Sequence, residues 1–198
     1  MRIYKIIRST KAEGPGTRFS VWVQGCSHHC PGCFAYDTWD FKAGREYPVT
    51  ELINMLKELD DTVDGVTLLG GEPFDQAKEI AAFAEAVQKL GKNLIIFTGY
   101  DYEYLKKAEN PYFNSILGAT DVLIDGKYIR ELQDFSRPLV GSSNQKIRFL
   151  TDRIPQSVFY SYKNRFEIRT DECGKVQING MGDTEQLKDI MGGNYVRI

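Results

Sequence analysis

The chain has 198 residues, 42% of them hydrophobic, which is enough for one sizeable core and too short for two independent domains. A formal net charge of −2, from 25 basic and 27 acidic residues, gives no electrostatic basis for a nucleic-acid or anionic-membrane partner. Charges interrupt the apolar residues of the first eight positions too often for a signal-peptide core, and no later run reads as a membrane span, so the expected compartment is cytoplasmic.

Residues 3–8 and 19–24 read as strands from their β-branched and aromatic content, joined by the breaker-rich Gly14-Pro15-Gly16-Thr17-Arg18. The second strand runs straight into Cys26-Ser27-His28-His29-Cys30-Pro31-Gly32-Cys33, which gathers three of the four cysteines. In a reducing compartment, clustered thiols are more often metal ligands or redox groups than disulfides. Two readings of the loop stand. Three thiolates can each bind one iron of a [4Fe-4S] cluster and leave the fourth iron open. Alternatively, His28 or His29 completes a Cys3His zinc tetrahedron, although zinc modules usually draw their ligands from two separated segments.

Thr50 is expected to cap a helix in which Leu52, Ile53, Leu56 and Leu59 recur at helical spacing. A largely apolar strand over 63–69 then ends at Gly70-Gly71-Glu72-Pro73. Ala77, Ile80, Ala81, Ala84, Val87 and Leu90 mark one face of a long helix stopped by Gly91. A strand over 94–98, helical segments over 102–108 and 112–117, and a strand over 121–125 follow. This alternation implies parallel β/α units, whose ligands gather at the carboxyl ends of the strands. The cysteine loop, Gly70-Gly71-Glu72, Thr98 and Asp125 occupy those ends. In the last quarter, 166–169 and 176–178 alternate around a Gly-containing turn, predicting a hairpin with Cys173 unpaired at its turn, followed by a short helix over 183–190. A full eight-unit barrel takes about 250 residues. The expected fold is therefore α/β, an incomplete TIM-like barrel of five or six units, open on one side in a way that suits a macromolecular substrate. Residues 1–150 form its core, and residues 151–198 are an extension packed on that core.

Two sets of stretches carry a family resemblance. Gly14-Pro15-Gly16-Thr17-Arg18, Gln24-Gly25 with the cysteines, and Asp37-Thr38-Trp39-Asp40 resemble glycyl-radical-enzyme activases of the radical S-adenosylmethionine (SAM) superfamily, which use this cysteine spacing. Pro31-Gly32-Cys33, Phe97-Thr98-Gly99-Tyr100, Asp121-Val122-Leu123-Ile124-Asp125-Gly126-Lys127 and Gly141-Ser142-Ser143-Asn144-Gln145 are closer to the activases of anaerobic (class III) ribonucleotide reductase in particular. The resemblance covers about residues 1–150 and says little of the rest.

The resemblance implies that Cys26, Cys30 and Cys33 ligate a [4Fe-4S] cluster whose open iron binds SAM, with His28 and His29 lying outside the ligand set. It implies that backbone carbonyls of the Gly70-Gly71-Glu72 motif receive the methionyl amino group, with Glu72 orienting the loop. Many radical SAM proteins carry an aromatic residue before the third cysteine; this chain has Gly32 there and Phe34 just after, so Gly32, Cys33 and Phe34 are expected SAM contacts. Thr98, Asp125 and Lys127 would face the same cleft, the last two positioning the ligand carboxylate or a monovalent cation. Trp39 reads as packing and Asn144 as satisfying backbone groups. The implied reaction is reductive cleavage of SAM to a 5′-deoxyadenosyl radical that takes a glycine Cα hydrogen, with no catalytic group beyond the cluster and SAM. The implied partners are the large subunit of anaerobic ribonucleotide reductase and an electron donor such as flavodoxin. Competing readings are activation of another glycyl-radical enzyme of the pyruvate formate-lyase type, a small-molecule radical SAM enzyme, and a zinc-binding module.

Overall fold

A hairpin starts the chain. β1 (Arg2–Thr10) returns through the Gly14–Arg18 loop as β2 (Arg18–Val23), whose six residues are all buried. The computed structural model describes residues 1–59, 61–170, 173–174 and 176–183. β3 (Arg45–Glu46) pairs with the start of β1, and α1 (Val49–Lys57) leads into β4 (Gly65–Gly70). α2 (Ala77–Lys89), β5 (Asn93–Thr98), α3 (Tyr102–Lys107), α4 (Pro111–Ala119) and β6 (Val122–Asp125) continue the alternation. β7 (Lys146–Phe149) and α5 (Gln156–Ser161) precede a separate hairpin of β8 (Phe166–Thr170) and β9 (Val176–Gly180).

The large sheet has the order β3-β1-β2-β4-β5-β6-β7 and does not close on itself. β2, β4, β5 and β6 pair in parallel, whereas the β3–β1 and β1–β2 pairs on one side and the β6–β7 pair on the other are antiparallel. The α/β class is as expected, but the described sheet is an open one with four parallel strands in place of five or six β/α units. The connections explain this. Parallel neighbours need a crossover, usually a helix, whereas the loops after β1 and β6 return the chain at the end of the sheet where it left. The expected cap at Thr50 is also corrected: Pro48 takes the N-cap position, with its φ already set for helix entry, and Thr50 lies within the first turn. The helix predicted over 183–190 lies outside the described residues beyond Asp183.

One face of the sheet meets α1, α2 and α4. Phe19, Val21, Val66, Leu68, Leu94, Ile96 and Leu123 pack there against Leu52, Leu56, Ile80, Phe83, Val87 and Ile116. On the other face Ile95, Val122 and Ile124 meet Leu139, Val140 and Phe159. Toward β2 that second face is polar and still buried: Arg18 donates to Thr67 Oγ1 at 3.1 Å, to the Val66 carbonyl at 2.5 Å and to Asn93.

The β8–β9 hairpin docks at the starting ends of the parallel strands, opposite the cysteine loop. Glu167 accepts from Thr10 Oγ1 at 2.8 Å and from the Lys11 N–H at 2.6 Å, and Arg169 donates to the Ser9 carbonyl at 2.8 Å. Asn179 Nδ2 bridges Thr10 Oγ1 and Glu13 Oε1, each at 3.0 Å. Burial pushes the Glu13 carboxyl up to about 7, against the opposing pull of Asn179 and the Lys5 charge. Between its ordinary 4.5 and 7 the folded chain holds a proton that the unfolded chain has released, so stability falls as pH rises through that window. Glu13→Gln is expected to remove about 3 kcal/mol of that fall, at 1.36 kcal/mol per pKa unit. Urea unfolding of both proteins at pH 5 and pH 8 checks this, and equal pH slopes would contradict it.

Candidate metal centre at the strand ends

β2 delivers the chain to Gly25, whose φ of +97° is left-handed and whose Cα lies against the Phe41 ring. The loop that follows is tied down on two sides. The turn at 36–40 supports its start, with Gly25 N–H donating to the Thr38 carbonyl at 2.7 Å and Cys26 N–H to the Trp39 carbonyl at 3.2 Å. Asp75, just beyond the Gly-Gly-Glu turn, accepts from the Ser27 N–H at 2.8 Å, from Ser27 Oγ at 3.1 Å and from Tyr100 Oη at 3.0 Å.

Cys26, Cys30 and Cys33 are all half-buried on this loop. Burial pushes the Cys26 thiol up to about 11, while the His28 and His29 N–H groups pull it back. Cys30 is also raised, first by burial and then by the charge of Cys33, with the Tyr128 N–H and Lys127 opposing. Ala35 N–H donates to Cys33 Sγ at 3.3 Å. Each sulfur therefore has a backbone N–H directed at it, the kind of outer contact that orients thiolate ligands.

This donor set fits a cluster better than a zinc ion. A closed zinc site needs four donors converging on one point. Among the described residues no group of three or more His, Cys, Asp or Glu side chains is placed to hold a single ion. Thiolates that bind three different irons have no need to converge in that way. Each histidine ring packs on an aromatic neighbour. His29 stacks on Trp39 with centroids 4.8 Å apart, and His28 lies edge-on to Tyr100 at 4.4 Å.

The Gly70-Gly71-Glu72 turn abuts the start of the loop. Gly71 N–H donates to the Val23 carbonyl and Glu72 N–H to the Gly25 carbonyl, both at 2.8 Å. A Cβ on Gly71 would stand 2.1 Å from the Gly25 oxygen, so close backbone approach requires glycine there. Glu72 is 1% exposed. Its Oε1 accepts from the Phe74 N–H at 3.0 Å and from Thr98 Oγ1 at 2.8 Å, and its Oε2 accepts from the Gly99 N–H at 2.8 Å. His28 Nε2 lies 3.2 Å from the same Oε2 without hydrogen-bond geometry.

The remaining expected site residues divide. Thr98 and Asp125 do lie at neighbouring strand ends, where Gly126 N–H donates to the Thr98 carbonyl at 3.1 Å. Yet Asp125 is buried and occupied, accepting from Arg148 Nε and from the Tyr102 N–H, each at 3.0 Å. Lys127 is exposed beside Cys30, its carbonyl held by Asn144 Nδ2 at 2.8 Å. Gly32 packs on Arg130, and Phe34 meets Tyr128 at 5.5 Å and Phe135 at 5.9 Å. Asp75, Tyr128 and Arg148 enter the site without a sequence expectation; Tyr100 had a signal in its motif. Glu72→Ala would leave the Thr98 hydroxyl and the Phe74 and Gly99 N–H groups unpaired in the interior, at an expected cost of about 3 kcal/mol or more. Glu72→Gln, which keeps an acceptor oxygen, should cost less. Chemical denaturation checks the order, and an alanine variant as stable as the parent would contradict it.

Comparison with known proteins agrees with this reading of the loop. A family model for a 4Fe-4S single cluster domain matches residues 12–148. The anaerobic ribonucleoside-triphosphate reductase-activating protein of Escherichia coli is 32% identical over 146 residues, covering 70% of this chain and 92% of its own length. Those of Vibrio cholerae and of phage T4 are 34% and 32% identical over 147 residues, covering 70% and 72% of this chain and 92% and 90% of their own lengths. With a cluster-domain match over most of its length and relatives of this kind nearly fully covered, the chain belongs to the family of anaerobic ribonucleoside-triphosphate reductase-activating enzymes.

Proposed function

We propose that this enzyme places a glycyl radical on the large subunit of anaerobic ribonucleotide reductase, using a [4Fe-4S] cluster held by Cys26, Cys30 and Cys33 and SAM bound beside it. The observation that carries this reading is the junction of the three-cysteine loop with the Gly70-Gly71-Glu72 turn through the Gly25 carbonyl. The names of the relatives support the reductase as partner. When bound, the cluster and SAM together supply one-electron reductive cleavage and hydrogen abstraction from a glycine Cα.

The chain's own residues bind and orient. Cys26, Cys30 and Cys33 would hold the cluster and leave it open to SAM. Gly70 and Gly71 let the main chain come close to the methionyl end. Glu72 is a positioning residue, since its acceptor oxygens already hold Thr98, Gly99 and Phe74. Asp125, fixed by Arg148 and Tyr102, is a positioning residue for the loop that carries Lys127, which would help hold the SAM carboxylate. Gly32, Cys33 and Phe34 would contact bound SAM. Residues 1–150 make up this radical SAM core, and the chain from 151 is an extension whose described part packs on it. Among the described residues no helix is long and apolar enough to cross a membrane. The proposed setting is the cytoplasm, with a flavodoxin-type electron donor.

Anaerobic incubation with the reductase large subunit, SAM and a reductant should generate a glycyl-radical signal by electron paramagnetic resonance. Cys26→Ala, Cys30→Ala and Cys33→Ala should each lower its yield by more than the roughly 10–100-fold cost of losing an outer partner of a metal ligand. Cys173→Ala should leave it unchanged. No radical with the parent protein, or a full yield without Cys30, would overturn the reading.

A further inference from the structure

β7 is the last strand of the large sheet, and a cavity of about 330 Å³ runs beside it, lined by Arg137, Lys146, Ile147, Arg148 and Tyr160. Side chains of successive strand residues point to opposite faces. A cavity touched by three consecutive residues of β7 therefore lies along its outer edge and not on one face. The register shows which main-chain groups face that cavity. Leu150 N–H donates to the Asp121 carbonyl at 2.8 Å, and the pairs Leu123↔Arg148 and Asp125↔Lys146 follow at two-residue steps. In an antiparallel ladder such alternate pairs exchange both bonds, and the residues between them turn their N–H and C=O outward. Those residues are Ile147 and Phe149. Neither has a main-chain partner on that side among the described residues, and the next outward carbonyl, that of Gln145, is taken by Arg137 at 3.1 Å.

The other edge of the sheet, β3, is only two residues long. β7 is longer, and a lysine at its first position is its main guard against stray pairing. Its first residue pairs with Asp125, so the groove begins level with the candidate site, and Arg148 ties the two together through the Asp125 carboxylate. Unpaired strand groups at this depth are complementary to one kind of occupant, an extended polypeptide, and Lys146 favours one with a carboxylate facing it.

We propose that the outer edge of β7 receives an extended segment of the activated reductase as an added strand and so leads its glycine toward the strand-end site. This rests on the function proposed above. The added strand bonds to Ile147 and Phe149, Tyr160 forms the far wall, and the open sheet is what makes the edge reachable.

Hydrogen–deuterium exchange of the cluster-loaded enzyme, with and without the purified reductase large subunit, tests this. The Ile147 and Phe149 amides should exchange freely in the enzyme alone and slow by about tenfold or more in the complex, as newly bonded edge amides do. Lys146→Glu should raise the reductase concentration needed for half-maximal radical formation by about tenfold while leaving SAM cleavage without reductase unchanged. Amides already protected in the free enzyme would mean that its own chain or a second copy fills the edge, and would overturn the proposal. So would unchanged exchange at β7 in a complex that still forms the radical. SAM cleavage by the parent protein without reductase reports the activase reading separately; its absence would remove that reading and this proposal with it, whereas normal cleavage with an indifferent β7 would remove only the docking.

Discussion

The site depends on one buried carboxylate. Glu72 takes the Phe74 N–H of its own turn and the Thr98 hydroxyl and Gly99 N–H of the next strand, and it sits against His28 of the cysteine loop. Three segments separated in sequence thus share one anchor, in an interior where each of these donors would be costly to leave unpaired. Glycine at 71 and 99 lets that anchor form. A Cβ at Gly71 would strike the Gly25 carbonyl, and one at Gly99 would strike the His28 ring at 2.3 Å. The acceptor oxygens of this carboxylate are thus used in holding the loops together.

The candidate site and its structural support lie at opposite ends of the strands. The cysteine loop, the Gly-Gly-Glu turn and the 125–127 loop gather at the carboxyl ends of β2, β4 and β6, while the β8–β9 hairpin closes the opposite end through Thr10, Glu13, Glu167 and Asn179. The hairpin is thus part of the support at the base and does not cover the site. The matched family segment ends at 148, so the base is reinforced by chain beyond it. Across the sheet, the helices cover one face and the 139–140 segment with α5 covers part of the other, and among the described residues no strand pairs with the outer edge of β7.

The motifs were legible because they are local. The cysteine spacing, the paired glycines before Glu72 and the apolar runs of β2, β4, β5 and β6 each carry their signal within a few residues. Long-range partners left no such trace. Thr98 and Asp125 stood out as residues at strand ends, but Arg148 lies 23 positions from the carboxylate it holds, and nothing in the sequence announced that pairing. β7 is four residues of alternating charge and apolar character, too short to separate from loop, and its antiparallel direction turns an expected run of β/α units into an open sheet. Thr50 had the chemistry of a cap, but Pro48 two positions earlier set the backbone first.

The central claim is that three cysteines hold a cluster with one iron left for SAM. The most direct measurement is anaerobic reconstitution with iron and sulfide, followed by electron paramagnetic resonance of the reduced protein with and without SAM. The account predicts a reduced-cluster signal that changes on adding SAM, together with production of 5′-deoxyadenosine. A protein that takes up zinc without sulfide, or a cluster whose signal is indifferent to SAM, would contradict it.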